Sequence, residues 1–217
     1  MASVNEQIVR VFLEQLGFLV RQPRKYQIIS RPKTAVEEID LVALRPTTPA
    51  TQLWPSTAIW GPTELLSVRC AVLAVRGWHS ERFSPAILAR SPDVYRFASA
   101  EACRAAEAEF PGETPAKVLC IADLPADAAL RNETMAFLQQ NGVDGILLFR
   151  PMLRALIDRI DVKKSYERED ILQLIRILKC YDFLKDAQMD LFGKRRYTRP
   201  AAAKAPPAAP ETPDLFP

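Results

Sequence analysis

Val4, Ile8, Val11, Phe12 and Leu16 recur at helical spacing and stop at Gly17, which predicts an amphipathic helix over residues 4–17. Residues 18–22 and 26–30 read as short strands, and residues 38–44 as a third that grows apolar toward its end. Residues 67–75 form a near-continuous apolar run, the pattern of a strand buried on both faces. The second half alternates helix and strand patterns. An alanine-rich helix is expected over 91–110, with Ser91 as N-cap and Pro92 in the first turn. A buried strand follows at 116–122. A helix at 126–141 closes on Asn141-Gly142, then come a strand at 143–149 and a helix at 151–160. Residues 168–184 predict a long amphipathic helix with Ile171, Leu174, Ile175, Leu178 and Tyr181 on one face. Strands separated by helices imply an α/β fold with a mixed central sheet flanked by helices.

Two stretches fall outside this rhythm. Residues 46–62 are rich in proline and threonine and predict a long loop carrying Trp54 and Trp60, both candidates for surface contact. From about Arg199 onward alanine and proline dominate, and such a segment lacks the apolar surface to offset its ordering entropy. The expected organisation is one domain over 1–186 and a disordered tail over 187–217.

Composition refines the picture only slightly. The 217 residues are 48% hydrophobic and 25% charged, typical of a globular chain, and the net charge of +3 is weak evidence for a polyanionic partner. Cys70, Cys103, Cys120 and Cys180 are widely spaced with no CxxC or Cys/His cluster, which argues against zinc and for reduced thiols in the cytoplasm. No signal-peptide pattern opens the chain, and no apolar run approaches the ~18 residues of a membrane span.

The candidate chemistry lies at the end of the long apolar strand. It closes as Ala74-Val75-Arg76-Gly77-Trp78-His79, some thirty residues after Glu38-Ile39-Asp40. With the leading helix acid Glu6 and the β-α-β half that follows, this order resembles the PD-(D/E)XK (restriction-endonuclease-like) nuclease superfamily over most of residues 3–180. The resemblance implies a restriction-endonuclease-like fold and a magnesium-dependent DNA phosphodiesterase site. In that site an Asp and an acidic partner hold the cation, and a lysine two residues after the acid assists. By this correspondence Asp40 is the retained metal ligand, and Glu6 matches the helix acid found in some members. Ala74 stands where the family has Glu, and Arg76 stands where it has Lys. An arginine keeps the charge but does not give up its proton, and as a planar fork that binds phosphate Arg76 is also a candidate DNA-binding residue. A rearranged site could recruit Glu38, or more distantly Glu37, Glu81 or His79; the alternative is that Glu37 and Glu38 are solvated edge charges. Asp40 and Arg76 could also pair as ions in place of the metal. Trp78 is either a base-stacking residue or a core residue sealing the strand end.

Near the end of the chain, Gln188-Met189-Asp190-Leu191-Phe192 resembles the bacterial sliding-clamp-binding motif, and Asp214-Leu215-Phe216 repeats its core. Such a peptide docks by its Leu and Phe while the Gln bonds at the pocket edge. Lys194, Arg195 and Arg196 follow, a basic run suited to phosphate contacts. Three functions are consistent with these residues. The first is a catalytically degenerate, nuclease-like accessory of DNA replication, repair or processing that binds DNA, docks on the clamp and needs no cofactor. The second is an active Mg-dependent endonuclease using Asp40, Glu38, Arg76 and Glu6. The third is an interaction or structural protein that touches no DNA. Oligomeric state is left open, and no membrane partner is expected.

Overall fold

The computed structural model describes residues 3–23, 34–49, 54–79, 83–108, 110 and 112–184. The expected strand at 26–30 and the tail at 187–217, with the residues singled out there, lie outside this set, as does Glu81.

The described strands are β1 (Leu19–Arg21), β2 (Leu41–Leu44), β3 (Ile59–Trp60), β4 (Cys70–Arg76), β5 (Ala116–Ile121) and β6 (Gly145–Leu148). They form one mixed sheet in the order β1-β2-β4-β5-β6-β3. The first three neighbours run antiparallel, and β4, β5, β6 and β3 run parallel to one another. Parallel neighbours need crossovers, and the helices supply them. The helices are α1 (Val4–Gln15), α2 (Pro62–Leu65), α3 (Pro85–Arg90), α4 (Ala100–Glu107), α5 (Ala128–Gln140), α6 (Phe149–Arg159) and α7 (Asp170–Cys180).

Both faces of the sheet are covered. On one, Val9 and Phe12 of α1, Met152 and Leu156 of α6, and Leu172 and Ile175 of α7 pack on Leu41, Leu73, Val118 and Cys120. On the other, Leu88 of α3, Ala102 and Ala106 of α4, and Leu138 of α5 cover Val42, Val72, Ala74 and Leu119. Alternate residues of β4 thus enter opposite cores, which is why its sequence is apolar throughout rather than alternating.

Several elements depart from the sequence expectation. Residues 38–44 do not form one strand: Val36–Glu38 is a 3₁₀ turn, and the strand begins at Leu41. The stretch 91–110 is not one helix either. Two 3₁₀ turns, Pro92–Val94 and Arg96–Ala98, bury Val94 and Phe97, and α4 starts afresh from Ser99. The Ser99 hydroxyl accepts the Ala102 N–H at 3.3 Å, a local cap that competes with helix continuation. The 46–62 stretch contains β3 at the sheet edge. Trp60 there is 2% exposed, so it is a core residue and not the surface contact expected of it. Its ring lies against Gly145, where a Cβ would come within 2.2 Å of the indole, and its Nε1–H donates to Thr57 O at 2.7 Å. Helix α7 is shorter than the 168–184 pattern, and its apolar residues divide between two faces. Ile171, Leu172 and Ile175 point to the core, whereas Leu174, Ile177 and Tyr181 are exposed. No described helix is long and apolar enough to cross a membrane.

Candidate functional site at the end of the central strand

The site is built where β4 leaves the sheet. Leu41 pairs with Leu73 in the antiparallel β2–β4 register, and Asp40 N donates to Leu73 O at 2.8 Å. One residue further along the same register, Asp40 lies opposite Ala74. Side chains alternate along a strand, so Ala74 and Arg76 share a face, and Asp40 shares it with them. The sheet therefore gathers positions 40, 74 and 76 on one surface.

What occupies that surface is an ion cluster. The Arg76 Nη1 donates to Asp40 Oδ2 at 2.8 Å and the Arg76 Nη2 donates to Glu38 Oε2 at 2.8 Å. The fork is held further by the Val75 carbonyl at 3.2 Å and the Asp93 carbonyl at 3.2 Å. Asp40 Oδ2 also accepts the Val75 N–H at 2.6 Å. The side chain of Arg76 is 12% exposed, and those of Glu38 and Asp40 are less so. Glu38 reaches the cluster from the end of the 3₁₀ turn, not from a strand face. A planar fork suits this geometry, since one guanidinium can engage two carboxylates through separate N–H groups.

The residues do not fit a divalent cation as arranged. Magnesium and calcium take about six or more oxygen ligands. Here Ala74 offers none, and both carboxylates are committed to a guanidinium that is itself cationic. Among the described residues no group of three or more His, Cys, Asp or Glu is placed to hold a metal ion.

The other candidates have separate roles. The Glu6 carboxylate accepts from the Gln22 side-chain amide near the N-terminus of α1. His79 Nε2 lies 3.0 Å from Asn5 Oδ1, and its ring packs edge-on against Phe149 with centroids 4.9 Å apart. Asn5 also lies across Gly77, where a Cβ would fall 1.8 Å from its amide nitrogen. The close approach allowed by Gly77 is thus used by the protein's own first helix. Trp78 is 38% exposed and stacks on Phe83 at 5.3 Å with a 12° interplanar angle. One ring face is covered, so neither extreme of the sequence reading describes it. Trp54 is similarly half-exposed. Asn5 and the Asp93 carbonyl were not found by sequence reasoning. Gly77 was a signal for the first; a backbone oxygen has no signature for the second.

Two of the thiols are closed off from solvent. Cys70 and Cys120 are buried in the sheet. Burial, aided by nearby Glu113, pushes the Cys70 thiol up to about 12, and burial raises Cys120 as well. Compared with protein-family models, with curated proteins and with solved structures, the chain matches none of them.

Proposed function

We propose that this protein is a catalytically degenerate, nuclease-like, DNA-associated accessory in replication, repair or processing, which docks on a sliding clamp through Gln188-Met189-Asp190-Leu191-Phe192. One observation carries the degenerate reading: Arg76 bridges Glu38 and Asp40 on the face that also holds Ala74. A fixed internal cation stands between the carboxylates that a magnesium ion would need, and the third ligand position has no oxygen. The reading is supported by a leading helix, an Asp40 segment, the apolar strand β4 and the β5-α5-β6 half in that chain order, although β3 and α2 are inserted between β2 and β4. Arg76 spends its N–H groups on protein oxygens, so phosphate contacts fall instead to Lys194, Arg195 and Arg196, with Trp78 offering one open ring face for stacking.

The tests separate the parts. The protein should bind duplex, single-stranded or branched DNA with an affinity that falls linearly in log units as salt rises. It should leave each of them uncut in magnesium or manganese. A peptide spanning residues 187–194 should bind a bacterial clamp at tens of micromolar or better; absence of binding removes the clamp from the proposal.

A second reading, an active Mg-dependent endonuclease, is favoured by the convergence of the Glu38 and Asp40 carboxylates on the one Arg76 guanidinium. DNA cleavage that disappears in Asp40→Ala would establish it and end the degenerate reading.

A further inference from the structure

The outer face of α7 carries apolar side chains that no other described element covers. Leu174 is 55% exposed, Ile177 42%, and Tyr181, the residue that caps the helix, 72%. The inward side of the same helix is already buried through Leu172 and Ile175, so the exposed stripe is surplus to the core. Solitary exposed apolar residues need no explanation, but a contiguous stripe marks an interaction surface.

The spacing of the stripe says what fits it. Leu174, Ile177 and Tyr181 stand three and four residues apart, the seam spacing of a helix that packs lengthwise on another helix. The preceding seam position is Asp170, also exposed. When two such helices pack antiparallel, alternate seam positions of one lie beside the complementary positions of the other. Two copies of α7 then place Leu174 beside Ile177 of the second copy, and Asp170 beside Tyr181 of the second copy. The one carboxylate of the seam meets the one hydroxyl, and the two-fold symmetry repeats that pairing at the other end. The antiparallel helix dipoles add a small attraction. A surface that complements itself in both its apolar and its polar positions is the requirement of an isologous interface.

We propose that α7 is a homodimer interface, in which a second copy of this chain packs its Leu174, Ile177 and Tyr181 antiparallel against the same residues. The patch is small beside the ~800 Å² per partner of a standard interface. The dimer is therefore a dissociating one, with an affinity of about micromolar order.

Sedimentation of the 217-residue chain tests this directly. The mass should rise from one copy to two across the micromolar range. The double substitution Leu174→Glu and Ile177→Glu should hold it at one copy with an unchanged circular-dichroism spectrum. Asp170→Ala and Tyr181→Phe should each weaken dimerisation roughly tenfold, and combining them should cost little more, because both remove the same bonds. A mass of one copy at every concentration overturns the proposal, as does a dimer indifferent to the two glutamates. A chain ending at Leu184 should dimerise like the full protein; dimerisation only after removal of 185–217 would assign the stripe to the tail and overturn the second copy as its occupant.

Discussion

Arg76 illustrates how much one side chain can decide. It sits between Glu38 and Asp40 with little access to water, so its charge and theirs depend on one another. Removing one partner of a buried pair leaves an uncompensated charge, which costs about 3–5 kcal/mol. Arg76→Ala is therefore expected to lower unfolding stability by that amount in a denaturant titration, with Arg76→Lys losing less because it keeps the charge but not the fork. A loss below ~1 kcal/mol would mean that the cluster is effectively solvated. Asp144 makes a second residue-scale case. Burial raises its carboxyl above the usual range, and the Lys117 N–H at 2.8 Å and ammonium at 3.6 Å only partly offset that. A carboxyl raised in the folded state favours folding in acid and loses that contribution as pH climbs through its folded value. Asp144→Asn retains an acceptor for the Lys117 N–H. The stability of the variant relative to the native chain should therefore rise as pH climbs above the ordinary aspartate value of about 3.9. A relative loss as pH rises would contradict the assignment.

At the scale of elements, the parallel edge depends on one fit. β3 has only Ile59 and Trp60, too short a strand to hold itself by backbone bonds alone. The indole of Trp60 anchors it by lying over Gly145 of β6. Gly145→Ala should force the indole or the strand aside, at a cost of about 1–3 kcal/mol. The measurement is chemical denaturation followed by tryptophan fluorescence, with a shifted native emission as the sign that Trp60 has moved. No change in either would show that the contact is loose. The division of α7 into an inward and an outward apolar face belongs to this scale too. From the sequence, five apolar residues within about three turns merge into one broad face. Only the position of α6 and the sheet decides which of them are covered.

The whole molecule joins a two-sided α/β sheet to a polar, proline-rich carboxy-terminal segment of a different composition. If the folding unit ends near residue 186, a chain ending at Leu184 should unfold cooperatively with a stability within about 0.5 kcal/mol of the full protein, the range of changes outside a core. A large loss would mean that the last residues contribute to the fold. The same truncation should abolish clamp binding. This separates the two ends of the proposal, since the ion cluster and the short motif lie in different parts of the chain.

The local pattern of this sequence was enough to reveal α1, the buried strands β4 and β5, the strand-helix alternation of the second half and the chemical interest of positions 40, 74 and 76. Periodicity reports the local environment of a helix or strand, and the residue types at those three positions are visible in the letters themselves. Tertiary structure decided the rest. It replaced the first part of one expected helix with two 3₁₀ turns and restarted the helix from Ser99, because a serine cap and two buried side chains outweighed helix propensity. It turned Trp60 from a loop residue into the anchor of an edge strand. It also brought Glu38, Asp40, Arg76 and the Asp93 carbonyl to one point, although they are spread over more than fifty residues of chain. Contacts of that separation depend on how sheet and helices pack, which no local pattern of residues encodes.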